Sequence, residues 1–560
     1  MATLQHSMQA NLQKQNLHPL LNKSFGTPNR PSFVYSSKSA SRRTIQACLS
    51  SNSQPGGVCP MANRFASSTT NQSVTESSSK PDEEDENSPV KLPPGPWKLP
   101  LLGNILQLVG DLPHSRLRDL ATEYGPVMSV QLGEVYAVVI SSVEAAREIL
   151  RNQDVNFADR PPVLVSEIVL YNRQDIVFGA YGVHWRQMRR LCTTELLSIK
   201  RVQSFKLVRE EEVSNFIKSL YSKAGKPVNL TEGLFTLTNS IMLRTSIGKK
   251  CRDQDTLLRV IEGVVAAGGG FSIADVFPSA VFLHDINGDK SGLQSLRRDA
   301  DLILDEIIGE HRAIRGTGGD QGEADNLLDV LLDLQENGNL EVPLNDDSIK
   351  GAILDMFGAG SDTSSKSTEW ALSELLRHPE EMKKAQDEVR RVFAKKGNVE
   401  ESQLDQLKYL KLVIKETLRL HPAVPLIPRE CREKTKVNGY DILPKTKALV
   451  NIWAISRDPK IWPEADKFIP ERFENSSIDF KGNNLEFAPF GSGKRICPGM
   501  ALGITNLELF LAQLLYHFDW KLADGKDGRD LDMGEVVGGA IKRKVDLNLI
   551  PIPFHTSPAN

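Results

Sequence analysis

The segment Phe487–Gly499, with the sequence FAPFGSGKRICPG, contains the cysteine whose surroundings best suggest chemistry. Its glycines and prolines exclude regular structure up to Cys497, and Pro498 stands where a helix beginning at Cys497 would have its first turn. The free amides and positive dipole of that helix end would favour a thiolate. Gly491 and Gly493 would let the backbone approach a large flat partner and aim amides at the sulfur. A thiolate so placed suits the axial position of a haem iron.

Two other interpretations of this segment compete with that one. A lone cysteine is most often a small buried hydrophobic residue. The glycines and Lys494 also suggest a phosphate-binding loop, but Ala488 stands where that loop has its first glycine and Arg495 where it has Ser or Thr. The phosphate loop is therefore excluded, whereas the buried structural cysteine stays open on these residues alone.

A second group of residues could move protons. Asp362 and Thr363 place a carboxylate and a hydroxyl side by side at the end of a helical segment, residues 351–363, that glycines interrupt. Small residues there would let the helix pass close to a macrocycle, and the acid and hydroxyl could deliver the protons that reduction of dioxygen consumes. The alternative is a frayed helix end, because each glycine costs about 0.8–1 kcal/mol relative to alanine.

Charged residues at helical spacing form a third group. Glu416 and Arg419 can share one helix face, although such pairs are usually surface ion pairs worth about 0.2–0.5 kcal/mol. Arg186, Arg189 and Arg190 are either a solvated basic face or an anchor for a carboxylate ligand, since arginine binds carboxylates bidentately.

These segments, taken together and in this order along the chain, resemble the cytochrome P450 family. PFGSGKRICPG resembles its haem-binding signature, and KETLR at 415–419 supplies the Glu and Arg of its ExxR helix. PERF at 470–473 resembles the meander motif, AGSDTS at 359–364 the oxygen-binding helix, and WRQMR at 185–189 the early Trp and Arg that reach the haem propionates. The resemblance extends from about Lys91 to Phe554.

The resemblance implies the cytochrome P450 fold, mainly α with a smaller β-rich part. It also implies haem b, with the iron bound axially by Cys497. By the same resemblance, the cofactor is bound by Trp185, Arg189, Arg429, Phe490, Gly491 and Arg495. The resemblance also implies that Asp362 and Thr363 are catalytic. It further implies that Glu416, Arg419 and Arg472 form a buried triad, which holds the meander beneath the cysteine loop.

The activity implied by the resemblance is that of a monooxygenase. One atom of O2 enters the substrate, and electrons come from NADPH through a separate reductase, either a cytochrome P450 reductase or a plastid donor. The substrate is expected to be apolar, because the regions matching substrate recognition are rich in aliphatic residues. They are Val163–Leu170, Ala352–Phe357, Val424–Ile427 and Val536–Ile541.

The whole sequence is most similar to plant A-type terpenoid oxidases, particularly spurge-family enzymes that oxidise the macrocyclic diterpene casbene. Oxidation of another terpenoid remains an alternative, as does a plastid enzyme that rearranges hydroperoxides, such as an allene oxide synthase. A haem-based sensor or carrier is a third possibility. Asp362, Thr363 and the uninterrupted cysteine loop favour the monooxygenase.

Hydropathy patterns indicate the elements that must position these residues. Alternating apolar residues on both sides of Gly133 predict a β-hairpin over Met128–Ile140. Apolar residues every three or four positions predict helices over Leu293–Ile307 and Leu502–Phe518. The glycines of Gly316–Gly322 predict a flexible loop.

Composition restricts the possible partners. The chain has 560 residues and 62.1 kDa, and 68 Lys and Arg oppose 71 Asp and Glu, so nothing in its net charge of -3 favours nucleic acid. Its six cysteines include no CxxC pair, which argues against both a disulfide framework and a zinc ribbon. No stretch is expected to reach the roughly 18 apolar residues of a membrane span, which leaves peripheral membrane contact as an expectation.

The N-terminal arm, residues 1–80, contains eight Lys or Arg and a single acid, Glu76. Its composition predicts a disordered, transit-peptide-like arm, and Thr44–Ser51 resembles the transit segment of plastid casbene synthases. A disordered arm with no targeting role is the alternative. An acidic and proline-rich linker is expected over 81–96 and the catalytic domain over 97–560. We therefore expect a plastid protein, with the endoplasmic reticulum as the alternative.

Overall fold

The structure is a computed structural model, and it describes residues 89–110, 112–248, 253–269, 272–285, 288–316, 326–394 and 397–555. The predicted arm over 1–80 lies outside the described residues, as do residues 81–88 of the linker and residues 317–322 of the predicted loop. Those expectations stay predictions, as do the proposed domain boundaries.

Helices make up most of the described chain. In chain order they are α1 Ile105–Leu108, α2 Pro113–Tyr124, α3 Val143–Arg147, α4 Leu164–Ile168, α5 Val183–Leu191, α6 Ile199–Ser204, α7 Lys206–Ser222, α8 Leu230–Ile247, α9 Gln254–Gly268, α10 Ile273–Val276, α11 Asp289–Gly316, α12 Leu327–Asn337, α13 Asp346–Arg377, α14 Pro379–Phe393, α15 Lys408–Leu420, α16 Ile452–Ile455 and α17 Met500–His517. Five-residue π-helical turns follow α3 and α5, at Glu148–Asn152 and Cys192–Leu196. Short 3₁₀ turns lie at Val281–Leu283, Glu401–Gln406, Pro470–Phe473, Gly493–Arg495 and Gly528–Asp530.

Strands form small sheets at the edges of this helical body. They are β1 Val127–Leu132, β2 Val135–Ile140, β3 Val228–Asn229, β4 Leu426–Glu430, β5 Thr435–Val437, β6 Tyr440–Ile442, β7 Lys447–Asn451, β8 Phe518–Leu522, β9 Glu535–Val536, β10 Lys542–Arg543 and β11 Asn548–Pro553. One sheet has the order β1-β2-β7-β4, with β2 and β7 parallel and the other pairs antiparallel. The others are β3-β11-β8, β5-β6 and the short hairpin β9-β10. The mainly α fold with a smaller β-rich part is confirmed.

The predicted elements are largely where the hydropathy patterns place them. β1 and β2 pair antiparallel around Gly133, which has a positive φ of 60°, as the hairpin prediction requires. The apolar stripe of Leu293–Ile307 lies in α11, and that of Leu502–Phe518 in α17, except that Phe518 already begins β8. Apolar periodicity was sufficient here because each stripe faces one continuous core.

Helix α13, Asp346–Arg377, runs through the core and is buried along most of its length. The side chain of Asn345 caps its N-terminus by accepting from the amide of Ser348. Asp346 and Asp347 in its first turn and Arg377 in its last turn complement the helix dipole. These end interactions and the surrounding core allow a 32-residue helix to continue through its glycines.

The described part of the proline-rich linker is extended and joined to the sheet. Ser129 on β1 donates its amide to the carbonyl of Pro94 and its hydroxyl to that of Pro93, over 2.6 Å and 3.0 Å. Prolines lack an amide donor but keep their carbonyls, so they can only accept from the edge of β1.

By length and composition, the stretch Gln254–Val276 is apolar enough for a membrane span, which was not expected of any stretch of this chain. It has 23 residues and a mean hydropathy of 1.5, which meets the length and composition of a span. In the structure this stretch comprises α9 and the short α10, and Leu257, Val260 and Ile261 of α9 belong to the buried core. The stretch is not continuously apolar, because it contains Asp255, Arg259, Glu262 and Asp275.

Candidate functional site

Cys497 lies between the 3₁₀ turn Gly493–Arg495 and α17, and its amide donates to the carbonyl of Phe490 over 2.9 Å. α17 begins at Met500 with Gly499 as its N-cap, three residues later than the prediction that a helix begins at Cys497. Pro498 is accommodated before the helix rather than in its first turn. The sulfur is nevertheless beside the start of a helix.

The environment of the thiol contains opposing influences. Burial raises the pKa of Cys497, whereas the backbone amide of Gly499 and the positive charge of Arg189 lower it. The net direction is upward, because burial outweighs the other two contributions. A metal ion would have to displace the proton, because the thiolate is the ligating form.

The two glycines of the cysteine loop differ in how closely other residues approach them. Gly493 has φ of 70°, and a Cβ there would lie 2.4 Å from the carbonyl oxygen of Leu150. It is therefore required for packing against the π-helical turn after α3. Gly491 also has a positive φ, of 73°, and has ordinary space around it. The amide that acts on the sulfur belongs to Gly499.

The glycines of α13 also pack against protein. A Cβ on Gly351 would lie 3.4 Å from the amide nitrogen of Asp175, and one on Gly360 would lie 2.8 Å from Sδ of Met242. Neighbouring elements approach the helix closely at these two positions. The expectation that glycines here let the helix pass close to a macrocycle stays a prediction. By contrast Ala359, in the middle of this buried helix, is exposed. The helix is therefore open at this turn, whereas the residues before it are buried.

Asp362 and Thr363 lie at that turn but do not bond to each other. The Thr363 hydroxyl donates to the carbonyl of Ala359 over 2.7 Å. The Asp362 carboxylate accepts the amide of Ala540, in the β9-β10 loop, over 3.0 Å. Burial raises the pKa of Asp362, and the positive charges of Lys366 and Lys542 oppose that shift.

Four arginines gather beside the cysteine loop: Arg429 and Arg495 are buried, and Arg160 and Arg189 are half-buried. Burial lowers the pKa of each, and for three of them the positive charges of the others lower it further, to about 10 for Arg160 and about 9 for Arg495. Among the described residues, none of the four has a carboxylate within ion-pairing distance. Such a cluster is unfavourable unless a negatively charged group joins it.

The predicted anchors contact backbone carbonyls of the loop that precedes α5. The indole of Trp185 donates to the carbonyl of Ile176 over 3.0 Å. Arg495 lies over the Trp185 ring at 3.9 Å and donates to carbonyls of Ala158 and Gly179. These contacts hold Trp185 and Arg495 against each other and against the same loop.

The remaining anchors leave donors free for a ligand. Arg189 donates to the carbonyl of Ile496, next to the cysteine. Nε of Arg429 is buried and has no hydrogen-bond partner. Two carboxylates that reached this cluster would satisfy the free donor and neutralise the positive charge. Haem has two propionates, so the residues present fit the cofactor that the sequence resemblance implies.

Glu416, Arg419 and Arg472 form a buried network, as expected from the family pattern. Glu416 and Arg419 have no exposed side-chain surface, and both oxygens of Glu416 accept from Arg419 over 2.8 Å. Arg472 donates from Nε to Glu416 over 3.0 Å. Arg419 also donates to the carbonyls of Ser456 and Ala465. The network thereby joins α15 to the meander that precedes the cysteine loop.

Sequence reasoning missed two residues of this region. Arg160 belongs to the arginine cluster and donates to the carbonyls of Val177 and Pro428. Asp355 is buried in α13 and accepts two backbone amides of the loop before α5. A single acid within the apolar run GAILDMFGAG signals a buried partner, and that signal was available in the sequence.

Comparison with known proteins agrees with this geometry. The sequence model of the family described as Cytochrome P450 matches residues 93–547. A protein called Cytochrome P450 726A27 from Euphorbia lathyris is 64% identical over 83% of this chain and 93% of its own length. The premnaspirodiene oxygenase of Hyoscyamus muticus is 51% identical, over 83% of this chain and 94% of its own.

Solved structures support the fold. A zebrafish cytochrome P450 determined with abiraterone superimposes with a TM-score of 0.68, at 24% identity, over 79% of this chain and 99% of its own. A match of the family model across most of the chain, together with these relatives, establishes the family. The chain belongs to the cytochrome P450 family, and it is a haem-thiolate monooxygenase whose iron is bound by Cys497.

Proposed function

We propose that this enzyme oxidises an unactivated or allylic C–H bond of a casbene-type macrocyclic diterpene. Its similarity to a spurge protein supports this proposal, as does a relative whose name states that it oxygenates a diene. The observation that carries it is the aliphatic surface that the predicted recognition segments leave open. Half-buried Val163 and Leu164 are aliphatic, and Val424 and Val537 are 40% and 36% exposed.

Two of the predicted recognition regions, Val424–Ile427 and Val536–Ile541, adjoin each other, and the second also contacts α13. The amide of Ile541 donates to the carbonyl of Ala423 over 2.9 Å, which joins the β9-β10 loop to the start of the 424–427 segment. Asp362 joins the same loop to α13. An apolar cavity bounded by these segments would bind a hydrocarbon by excluding water from it.

The bound haem would supply the activation of dioxygen. Cys497 would hold the metal, and Trp185, Arg189, Arg429 and Arg495 would hold the propionates. Thr363 would pass protons at its hydroxyl oxygen, which lies on the turn containing the exposed Ala359. Asp362 would hold a proton near the β9-β10 loop, consistent with a carboxyl whose pKa burial raises.

Incubation with casbene, NADPH and a plant reductase, followed by mass spectrometry, tests the proposal. We expect an oxygenated diterpene whose formation requires NADPH, and no product without it. Product from another terpene but not from casbene would refute the proposal that casbene is the substrate. Turnover of a fatty-acid hydroperoxide without NADPH or reductase would instead favour the rearranging enzyme.

We also propose that residues 1–80 direct the chain to the plastid, where a plastid electron donor or a cytochrome P450 reductase would supply electrons. The basic, acid-poor composition of the arm supports this location. A fluorescent fusion of residues 1–90 should enter chloroplasts in leaf cells. Accumulation of the fusion on the endoplasmic reticulum would refute plastid targeting.

Peripheral membrane contact is proposed for one end of the sheet. Leu101 and Phe282 are 88% and 79% exposed. Both lie near the β1-β2 turn, because Gly103 bridges to Leu132 and Glu134 bonds to Ser279. Flotation of the purified protein with vesicles tests this contact. We expect less protein to float when both apolar residues are replaced by serine. Unchanged flotation would refute it.

A further inference from the structure

The loop Arg173–Gly179, which precedes α5, holds two of the proposed propionate anchors through its carbonyls. The carbonyl of Ile176 accepts from Nε1 of Trp185 over 3.0 Å and from Nη1 of Arg495 over 3.3 Å. The carbonyl of Gly179 accepts from Nη2 of Arg495 over 2.5 Å. The conformation of this loop therefore sets where the indole and guanidinium lie.

The backbone entering the loop is strained. Tyr171, Asn172 and Arg173 have φ values of 55°, 53° and 64°, in the left-handed region that side chains other than glycine rarely adopt. Such a run persists only where surrounding contacts determine it. Contacts that hold the loop must therefore come from the elements packed against it.

Helix α13 supplies those contacts. The absence of a side chain at Gly351 lets Asp175 pack directly on the helix, where a Cβ would be 3.7 Å from that of Asp175. Asp355 lies one turn further along the same face. Its Oδ2 accepts the amides of Ile176 and Val177 over 2.7 Å and 3.2 Å.

The loop and the helix thus each contribute one buried carboxyl. Asp175 and Asp355 are 1% and 6% exposed. Oδ2 of Asp175 accepts the amide of Phe178 over 2.6 Å, whereas its Oδ1 is buried without a hydrogen-bond partner. Two neighbouring carboxylates cannot both be ionised in such a site without a large cost.

The surrounding charges favour one proton on the pair. Burial raises the pKa of Asp175 to about 6, although the hydrogen bond from the Phe178 amide and the positive charges of Arg495 and Arg173 lower it. Burial raises the pKa of Asp355 well above its usual value, and the charge of Asp175 raises it further. The other groups that face the pair are Arg160, next to Asp175, and the thiol of Cys192, next to Asp355.

We propose that the buried Asp175 and Asp355 carry one proton between them and that the singly protonated pair fastens loop 173–179 to α13. Asp355 is then a positioning residue, which acts on the cofactor through Trp185 and Arg495. Loss of the shared proton leaves two buried negative charges side by side, so the loop separates from the helix as pH rises. Haem is held less firmly as a consequence.

The test is the rate at which the holoenzyme loses haem to excess apomyoglobin, measured by absorbance. Rates are measured from about pH 5 to about pH 9, which covers both sides of the titration of a buried carboxyl. The variants are Asp355→Asn and Asp355→Ala, with Asp347→Asn as the matched control. Asp347 is on the same helix but 46% exposed. Asparagine keeps an acceptor for both loop amides and offers Asp175 a donor, so it imitates the protonated carboxyl.

We expect the wild type and Asp347→Asn to lose haem faster as pH rises, whereas Asp355→Asn should be slow and independent of pH. Asp355→Ala should lose haem at least about tenfold faster at every pH, the effect of one lost hydrogen bond at a buried site. If Asp355→Ala does not fold, Asp175→Asn provides the second test, because it too should remove the pH dependence. The proposal is overturned if haem loss from Asp355→Asn depends on pH as strongly as haem loss from the wild type. It is also overturned if Asp355→Asn loses haem as fast as Asp355→Ala does.

Discussion

Removing the carboxylate of Glu416 should destabilise the haem-containing enzyme strongly. Glu416→Ala leaves Arg419, which has no exposed side-chain surface, buried beside Arg472 without their shared counter-ion. Breaking a buried ion pair by deleting one partner costs about 3–5 kcal/mol. An unfolding entropy of about 2.1 cal/mol/K per residue gives about 1 kcal/mol/K for a domain of about 450 residues. The expected fall in melting temperature is therefore about 4 °C.

The matched control is Glu471→Ala, on the same 3₁₀ turn as Arg472. Glu471 accepts from Lys384 over 2.7 Å in a pair whose members are 35% and 50% exposed. Exposed pairs of this kind contribute about 0–1 kcal/mol, so the control should shift the melting temperature by about 1 °C or less. Thermal unfolding followed by the Soret absorbance measures both variants. Equal shifts would contradict the conclusion that the Glu416 network holds the meander.

Three further predictions concern proton delivery, pH and loop packing. Thr363→Ala should release more peroxide per NADPH consumed, and unchanged coupling would contradict a role in proton delivery. Burial alone would raise the pKa of Glu535, but His114 and His421, at 3.3 Å and 3.4 Å from its oxygens, outweigh burial and lower the pKa to about 2. The wild type should therefore have a free energy of unfolding about 3 kcal/mol higher than that of Glu535→Gln above pH 4.5, and this difference should disappear as pH falls towards 2. A difference between their urea midpoints that does not change with pH would refute this. Gly493→Ala, whose Cβ would meet Leu150, should reduce haem content far more than Gly525→Ala, which has a similar φ of 75° and open space; equal haem contents would contradict the packing argument.

Local patterns predicted the elements and the cysteine loop because both depend on residues close in sequence. The hairpin at Gly133 required only alternating apolar residues and a turn, and the stripe of α17 required only one buried face. The position of Cys497 next to a helix start followed from the prolines and glycines around it. The exact start at Met500 did not, because the loop first makes a 3₁₀ turn that packs on a distant segment.

Residues that depend on long-range packing could not be predicted. The sequence does not show that Gly493 faces Leu150 or that Gly351 faces Asp175, since each pair is separated by more than a hundred residues. Arg160 was missed because a single arginine in a loop carries no pattern of its own. For the thiol of Cys497, burial outweighs the amide of Gly499, and burial is a property of the folded chain.

The absorption spectrum of the reduced protein with carbon monoxide tests the central assignment most directly. The wild type should show the strongly red-shifted Soret band of thiolate ligation. Cys192→Ala, which removes another buried cysteine, should keep that band, and Cys497→Ala should lose it. Persistence of the red-shifted band in Cys497→Ala would contradict the assignment of Cys497 as the iron ligand.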